Sequence, residues 1–312
     1  MSGSAPLVAA PPQDGHHLPT AVPLVAAVVS GSLVAVQQRF NGDLGESLHD
    51  PLLAAVVSFG TGLALMVVLV LRAAPREAWS GLSTVPWWRR VGGLGGASLV
   101  FVGATAAPVI GVAVLSVGLV AGSTLAGLVV DRFGLAPGGQ RPVTPPRVAG
   151  ALLCLVAICI SALDRARTVS PWLLLLVVAA GGLICFQQAF NGHVRHATDA
   201  TVATFLNFVV GTTALVLGLC VRLLLVHHPF GTWPDAGHWY LYLGGPLGAS
   251  FVAVAAIVVR PLGVLRLGLA VTAGQLLGSL LVDLGRGVAL TTVVAAALTM
   301  LAVGVSGRGQ RR

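Results

Sequence analysis

The chain has no lysine at all, and only 9% of its 312 residues are charged. A soluble domain carries roughly 25% charge, so that class is excluded at once. Its four cysteines, Cys154, Cys159, Cys185 and Cys220, all lie in apolar runs without a close-spaced pair. Neither a disulfide framework nor a thiolate metal site is expected. There is no His-Glu-x-x-His pair, no Gly-x-Ser-x-Gly elbow and no Walker-type phosphate loop. The sequence therefore offers no catalytic residues, no metal ligands and no cofactor motif, and it reads as a non-enzyme that does not hydrolyse ATP. The net charge of +8 comes from 18 arginines, which fall mainly in short connections. A nucleic-acid binder would gather them into one stripe, so no nucleic-acid partner is expected.

What is present is hydrophobic: 56% of residues, with a mean hydropathy of +0.91 and 40 glycines. The apolar runs suffice to cross a ~30 Å hydrocarbon core, which takes about 20 helical residues. Glycine is abundant where helices approach closely in lipid. The expected class is an all-α integral membrane protein whose surroundings are the lipid bilayer. Spans are expected at 21–40, 51–73, 92–107, 110–130 and 147–163, then at 171–190, 200–224, 240–259, 262–282 and 287–306. Residues 93–130 carry no charge over 38 positions. One straight helix of that length would reach roughly 57 Å, nearly twice the core. A turn is expected at Pro108 and Gly111, and another at Arg260-Pro261 with Gly263.

The chain repeats itself about 150 residues on. Gln37-Gln38-Arg39-Phe40-Asn41-Gly42 returns as Gln187-Gln188-Ala189-Phe190-Asn191-Gly192. Ser58-Phe59 returns as Asn207-Phe208, Gly96-Ala97-Ser98 as Gly248-Ala249-Ser250, and Val130-Asp131 as Val282-Asp283. Duplicated apolar halves are a mark of secondary transporters, whose sites lie where the halves meet. The expected organisation is a disordered tail at 1–20, a first five-helix repeat at 21–163, a linker at 164–170, a second repeat at 171–306 and a tail at 307–312. An odd number of spans inverts the second repeat: ten transmembrane helices as two inverted five-helix repeats. The arginines agree. With both termini cytoplasmic, 13 fall inside and 5 (Arg39, Arg165, Arg167, Arg222 and Arg286) fall outside, as the positive-inside rule requires.

Amides are costly in hydrocarbon unless paired, and should face the bundle or a wet path. The substrate-path candidates are Gln37, Asn41, Ser58 and Ser123 in the first half, and Gln187, Asn191, Asn207 and Gln275 in the second. Gln37 and Asn41 share a helix face, as do Gln187 and Asn191. The same residues could instead hold helices together. Small-xxx-small pairs at Gly118/Gly122, Ser123/Gly127, Gly244/Gly248 and Gly274/Gly278 are expected to pack helices closely. Asp131 and Asp283 are the coupling candidates, expected at the interface, solvated or paired with Arg132 or Arg286.

The Gln-x-x-x-Asn end of the first helix, with the run Gly274-Gln275-Leu276-Leu277-Gly278-Ser279-Leu280-Leu281-Val282-Asp283, resembles the YdcZ branch of the drug/metabolite transporter superfamily, in its fused duplicate form. The resemblance covers residues 21–306 and implies a bacterial inner-membrane protein of ten helices built as an inverted repeat. The expected function is secondary transport, without ATP, of small metabolites or amphipathic organic compounds by alternating access. The alternative is a non-transporting assembly or regulatory subunit. The partners are an unidentified small-molecule substrate and, as the oligomer left open, a homodimer.

Overall fold

The computed structural model describes residues 21–74, 76–162, 170–225 and 230–308, and no strand occurs among them. The expected tail at 1–20 and most of the linker at 164–170 and of the tail at 307–312 lie outside the described residues. The helices are α1 (Ala21–Leu48), α2 (Pro51–Ala73), the short α3 (Arg76–Ser80), α4 (Gly93–Phe133), α5 (Pro145–Ala162), α6 (Pro171–Ala197), α7 (Ala200–Leu225), α8 (Gly244–Asp283) and α9 (Leu290–Arg308). Among the described residues six stretches are long and apolar enough to cross a membrane: Ala21–Leu48, Pro51–Arg72, Trp87–Phe133, Pro171–Ala197, Ala200–Leu225 and Leu267–Arg286. Pro145–Ser161 and Leu290–Val305 are shorter apolar helices.

Two helices run further than expected. The expected end of α1 near residue 40 reflects the polar segment that follows, but Leu44 and Leu48 are fully buried and continue its apolar stripe. The helix stops only where His49 takes φ 51° and Asp50 begins α2, accepting from the Leu52 and Leu53 amides at 2.9 and 3.0 Å. Asp50 thus satisfies two of the four orphan donors of that helix start, with Pro51 at a position needing no donor. Likewise α6 continues to Ala197, because Val194 is buried against the loop before α4. The amides Gln37, Asn41, Gln187 and Asn191 therefore sit inside their helices rather than at the ends.

α4 is interrupted at Gly111, with φ 80° and ψ 157°, three residues after Pro108. Glycine alone adopts that backbone without strain, and Pro108 removes one helical donor. The consequence shows in the packing on α6. Gly95 lies against the Leu183 carbonyl, while the Leu119 carbonyl lies against Gly181. In a straight helix, the 24 residues from 95 to 119 would span about 36 Å, yet their partners are two residues apart in α6. The chain doubles back at Gly111. α8 does the same on α1: Gly248 meets Gln37 and Val271 meets Gly31.

The helix pairs follow the duplication. α1 packs along α8, and α6 along α4; α2 packs on α7, and α5 on α9. Between helices in lipid the gain comes from close packing rather than from leaving water. Glycines supply the closeness: a side chain added at Gly274 or Gly122 would collide with the Val28 or Val178 carbonyl. The outer surface carries exposed Leu71, Trp172, Leu224 and Leu290, an apolar face that requires a membrane around it.

Candidate functional site

The amides fall into two groups, each held by one long helix against the first part of the opposite half's doubled helix. In the first group α1 presents Gln37 and Asn41 to α8, and α2 adds Ser58. Gly244 and Gly248 make the room. A Cβ at Gly244 would collide with Asn41 Oδ1 and lie 2.8 Å from Ser58 Oγ, and one at Gly248 would lie 2.8 Å from Gln37 Nε2. In the second group α6 presents Gln187 and Asn191 to α4, and α7 adds Asn207. Here Gly92 admits Asn191, and the positions over Gly95 and Gly96 lie 3.0 and 3.3 Å from Gln187 Oε1.

The two groups differ in how their polar atoms are satisfied. Asn191 Nδ2 donates to Asn207 Oδ1 at 2.9 Å. The matching pair in the first half is Asn41 and Ser58, and the shorter serine makes no such bond. Asn41 is fully buried, and among the described residues both its amide atoms, like Ser58 Oγ and Gln187 Oε1, have no hydrogen-bond partner. A buried polar group left unpaired costs about 1–3 kcal/mol. The first group therefore has donors and acceptors on offer that the protein itself does not use.

Phe59 and Phe208 separate the groups, with ring centroids 5.2 Å apart. The Phe59 ring reaches the space over Gly96, where Gln187 and Asn207 Nδ2 also converge.

Ser123 and Gln275 stand apart from both groups. The Ser123 hydroxyl donates to Val120 O at 3.0 Å. Gln275 is half-buried where α8 crosses α1 at Gly31, six residues before Gln37.

The aspartates have other partners than expected. Asp131 pairs with buried Arg147 of α5, not with Arg132. Arg132 is its chain neighbour, and adjacent helical residues do not face each other. Asp283 is 6% exposed and accepts from the Ala113 amide at 2.8 Å. Arg286 turns instead to Asp43 of α1, at 3.3 Å.

One residue escaped the sequence reading. Gln38 is fully buried, with both amide atoms unpartnered, and lies over Gly103 of α4. Its counterpart Gln188 is exposed. The signal was Gly103 itself, since the matching position in the second half is Ala255, and a Cβ there leaves no room for an amide. Among the described residues no group of three His, Cys, Asp or Glu side chains gathers to hold a metal.

The fold and these buried amides define a helical membrane protein with an internally duplicated polar core. The family model described as "Putative inner membrane exporter, YdcZ" matches residues 22–160 and again residues 172–306. The chain belongs to that family, a family of membrane transport proteins, and the family model fits each half in turn. A crystal structure of another protein shares the fold over 92% of this chain and 95% of that one, with a TM-score of 0.55 and 22% identity. No curated protein matches the chain.

Proposed function

We propose that the chain is a secondary transporter that exports small metabolites or amphipathic organic compounds by alternating access. Ten spans are counted when the doubled α4 and α8 contribute two each, beside α1, α2, α5, α6, α7 and α9. Five per half sets the second half upside down, with both termini in the cytoplasm. The matched loops support this. Trp79, Trp87 and Trp88 share the α2–α4 loop with Arg76, Arg89 and Arg90, whereas Trp233 and Trp239 occupy an α7–α8 loop without arginine. Tryptophan belongs at both membrane surfaces, and arginine on the cytoplasmic one.

The observation that carries the reading is Asn41: a fully buried amide with no protein partner, backed by glycine and joined by Ser58. Substrate polar groups would complete its hydrogen bonds in one state, and rocking of the halves would exchange access to it. The Phe59–Phe208 contact supplies an apolar surface beside it. The test is a thermal-shift screen of metabolites on the purified chain, since a ligand of the native state raises its stability. Compounds that bind are then assayed for counterflow in proteoliposomes. Wild-type protein is expected to exchange them and Asn41→Ala to lose both binding and exchange. Binding without exchange in the wild type would instead mark a non-transporting subunit.

A further inference from the structure

The two matched aspartates have diverged. Asp131 is neutralised by Arg147 in the first turn of α5. The matching helix α9 carries no basic residue before Arg308, so Asp283 has no such partner. Its Oδ2 is held by the Ala113 amide, an orphan donor at the helix start that follows the Gly111 break. Its Oδ1 is buried and has no hydrogen-bond partner among the described residues.

Asp283 lines a cavity of about 210 Å³ together with Pro108, Gly111, Arg286 and Thr292. The break at Gly111 therefore opens onto this space, and the segment ending there points the negative end of its helix toward it. Thr292, 4% exposed, adds a hydroxyl to the wall. The charged residues lining the cavity are Asp283 at the end of α8 and Arg286 of the α8–α9 turn; Arg286 in turn pairs with Asp43 and lies 4.0 Å from Glu46, both on α1, and Arg39 binds Asp43 at 2.8 Å. Arg286 is thus engaged by the carboxylates of α1, which leaves the Asp283 charge without a guanidinium of its own among the described residues.

We propose that Asp283, with the interrupted end of the first segment of α4 and Thr292, forms a binding site for a small monovalent cation, either a sodium ion or a primary ammonium group. Oδ1 supplies the charge, and the helix end and the hydroxyl supply further oxygen. In membrane transporters, coupling ions are held by the unwound carbonyls and C-terminal ends of broken helices. The site's use in transport rests on the export reading above; cation binding does not.

The experiment is thermal unfolding of the purified full chain at fixed pH and ionic strength, replacing N-methyl-D-glucamine chloride stepwise by sodium chloride or methylammonium chloride. A saturable upward shift of the midpoint is expected with at least one of the two, and Asp283→Asn is expected to abolish it. Sodium alone would assign an inorganic ion, methylammonium alone an ammonium head. Thr292→Val keeps the side-chain shape and is expected to raise the half-saturating concentration roughly three- to tenfold, which decides the matter if Asp283→Asn does not fold. Equal midpoints in all three salts, or a shift that survives Asp283→Asn, would overturn the site. Neither result bears on counterflow, so failure of the cation site and failure of the transport reading are told apart.

Discussion

Phe59 and Phe208 occupy matching positions in the two halves, and they touch each other. The halves therefore contact each other through equivalent positions. Each ring also rests on the other half's matching glycine: a Cβ at Gly62 would collide with Phe208, and one at Gly211 with Phe59. The α2–α7 contact is thus reciprocal, matching ring on matching ring and each ring on the other half's glycine.

This contact makes the first prediction. Gly62→Ala and Gly211→Ala should each lower stability by about 1–3 kcal/mol, the range for overpacking a close contact. Shortening the opposing ring, as in Gly62→Ala with Phe208→Leu, should recover part of the loss. Thermal unfolding of the purified variants checks it, and additive effects would show that the two sites do not touch in solution.

The Asn191–Asn207 hydrogen bond gives a second. Asn191→Ala, Asn207→Ala and the double variant form a cycle whose coupling energy should be about 0.5–2 kcal/mol, the span found for polar contacts between membrane helices. The same cycle on Asn41 and Ser58 should return a coupling near zero, because no bond joins them. Denaturant unfolding in detergent measures both.

The Asp131–Arg147 pair gives a third. Removing one partner from a buried ion pair leaves an uncompensated charge and typically costs about 3–5 kcal/mol. Arg147→Met or Asp131→Asn alone should destabilise strongly, while the two together should lie closer to wild type than either one. Asp283→Asn, with no arginine partner to abandon, should be milder than Asp131→Asn.

How much of this was visible in the sequence depended on whether the relevant signal was local. The break at Gly111 was legible, because 38 uncharged residues cannot cross a membrane once and Pro108 marks the place. The membrane class and the pairing of motifs were legible from composition and repetition. The expected span ended at residue 40, eight residues short of the end of α1, because the segment that follows is polar and only the burial of Leu44 and Leu48 shows that it continues the helix. The partners of Asp131 and Asp283 were hidden for another reason. Arg147 and Ala113 approach them only after the helices have packed, and nothing in the adjacent residues points that far. Gln38 was missed because it lies next to Gln37 on a different helix face, and only Gly103 on another helix gives it room.

The orientation of the halves gives a fourth prediction. Reporter fusions after residue 80 should report the cytoplasm, and fusions after residue 232 the opposite side. Both loops on one side would remove the inversion, and alternating access of the kind proposed would go with it.

Alternating access requires that the buried polar groups beside Asn41 become reachable from one side of the membrane and then from the other. The direct measurement uses Ser58→Cys and Asn207→Cys, each in a background with Cys154, Cys159, Cys185 and Cys220 replaced, in sealed vesicles of known orientation. Each is probed by a membrane-impermeant thiol reagent from either side. At least one of these positions is expected to label, and the labelled side to change when a bound substrate shifts the conformation. If neither cysteine reacts from either side in any condition, the amides only hold helices together and the transport account is contradicted.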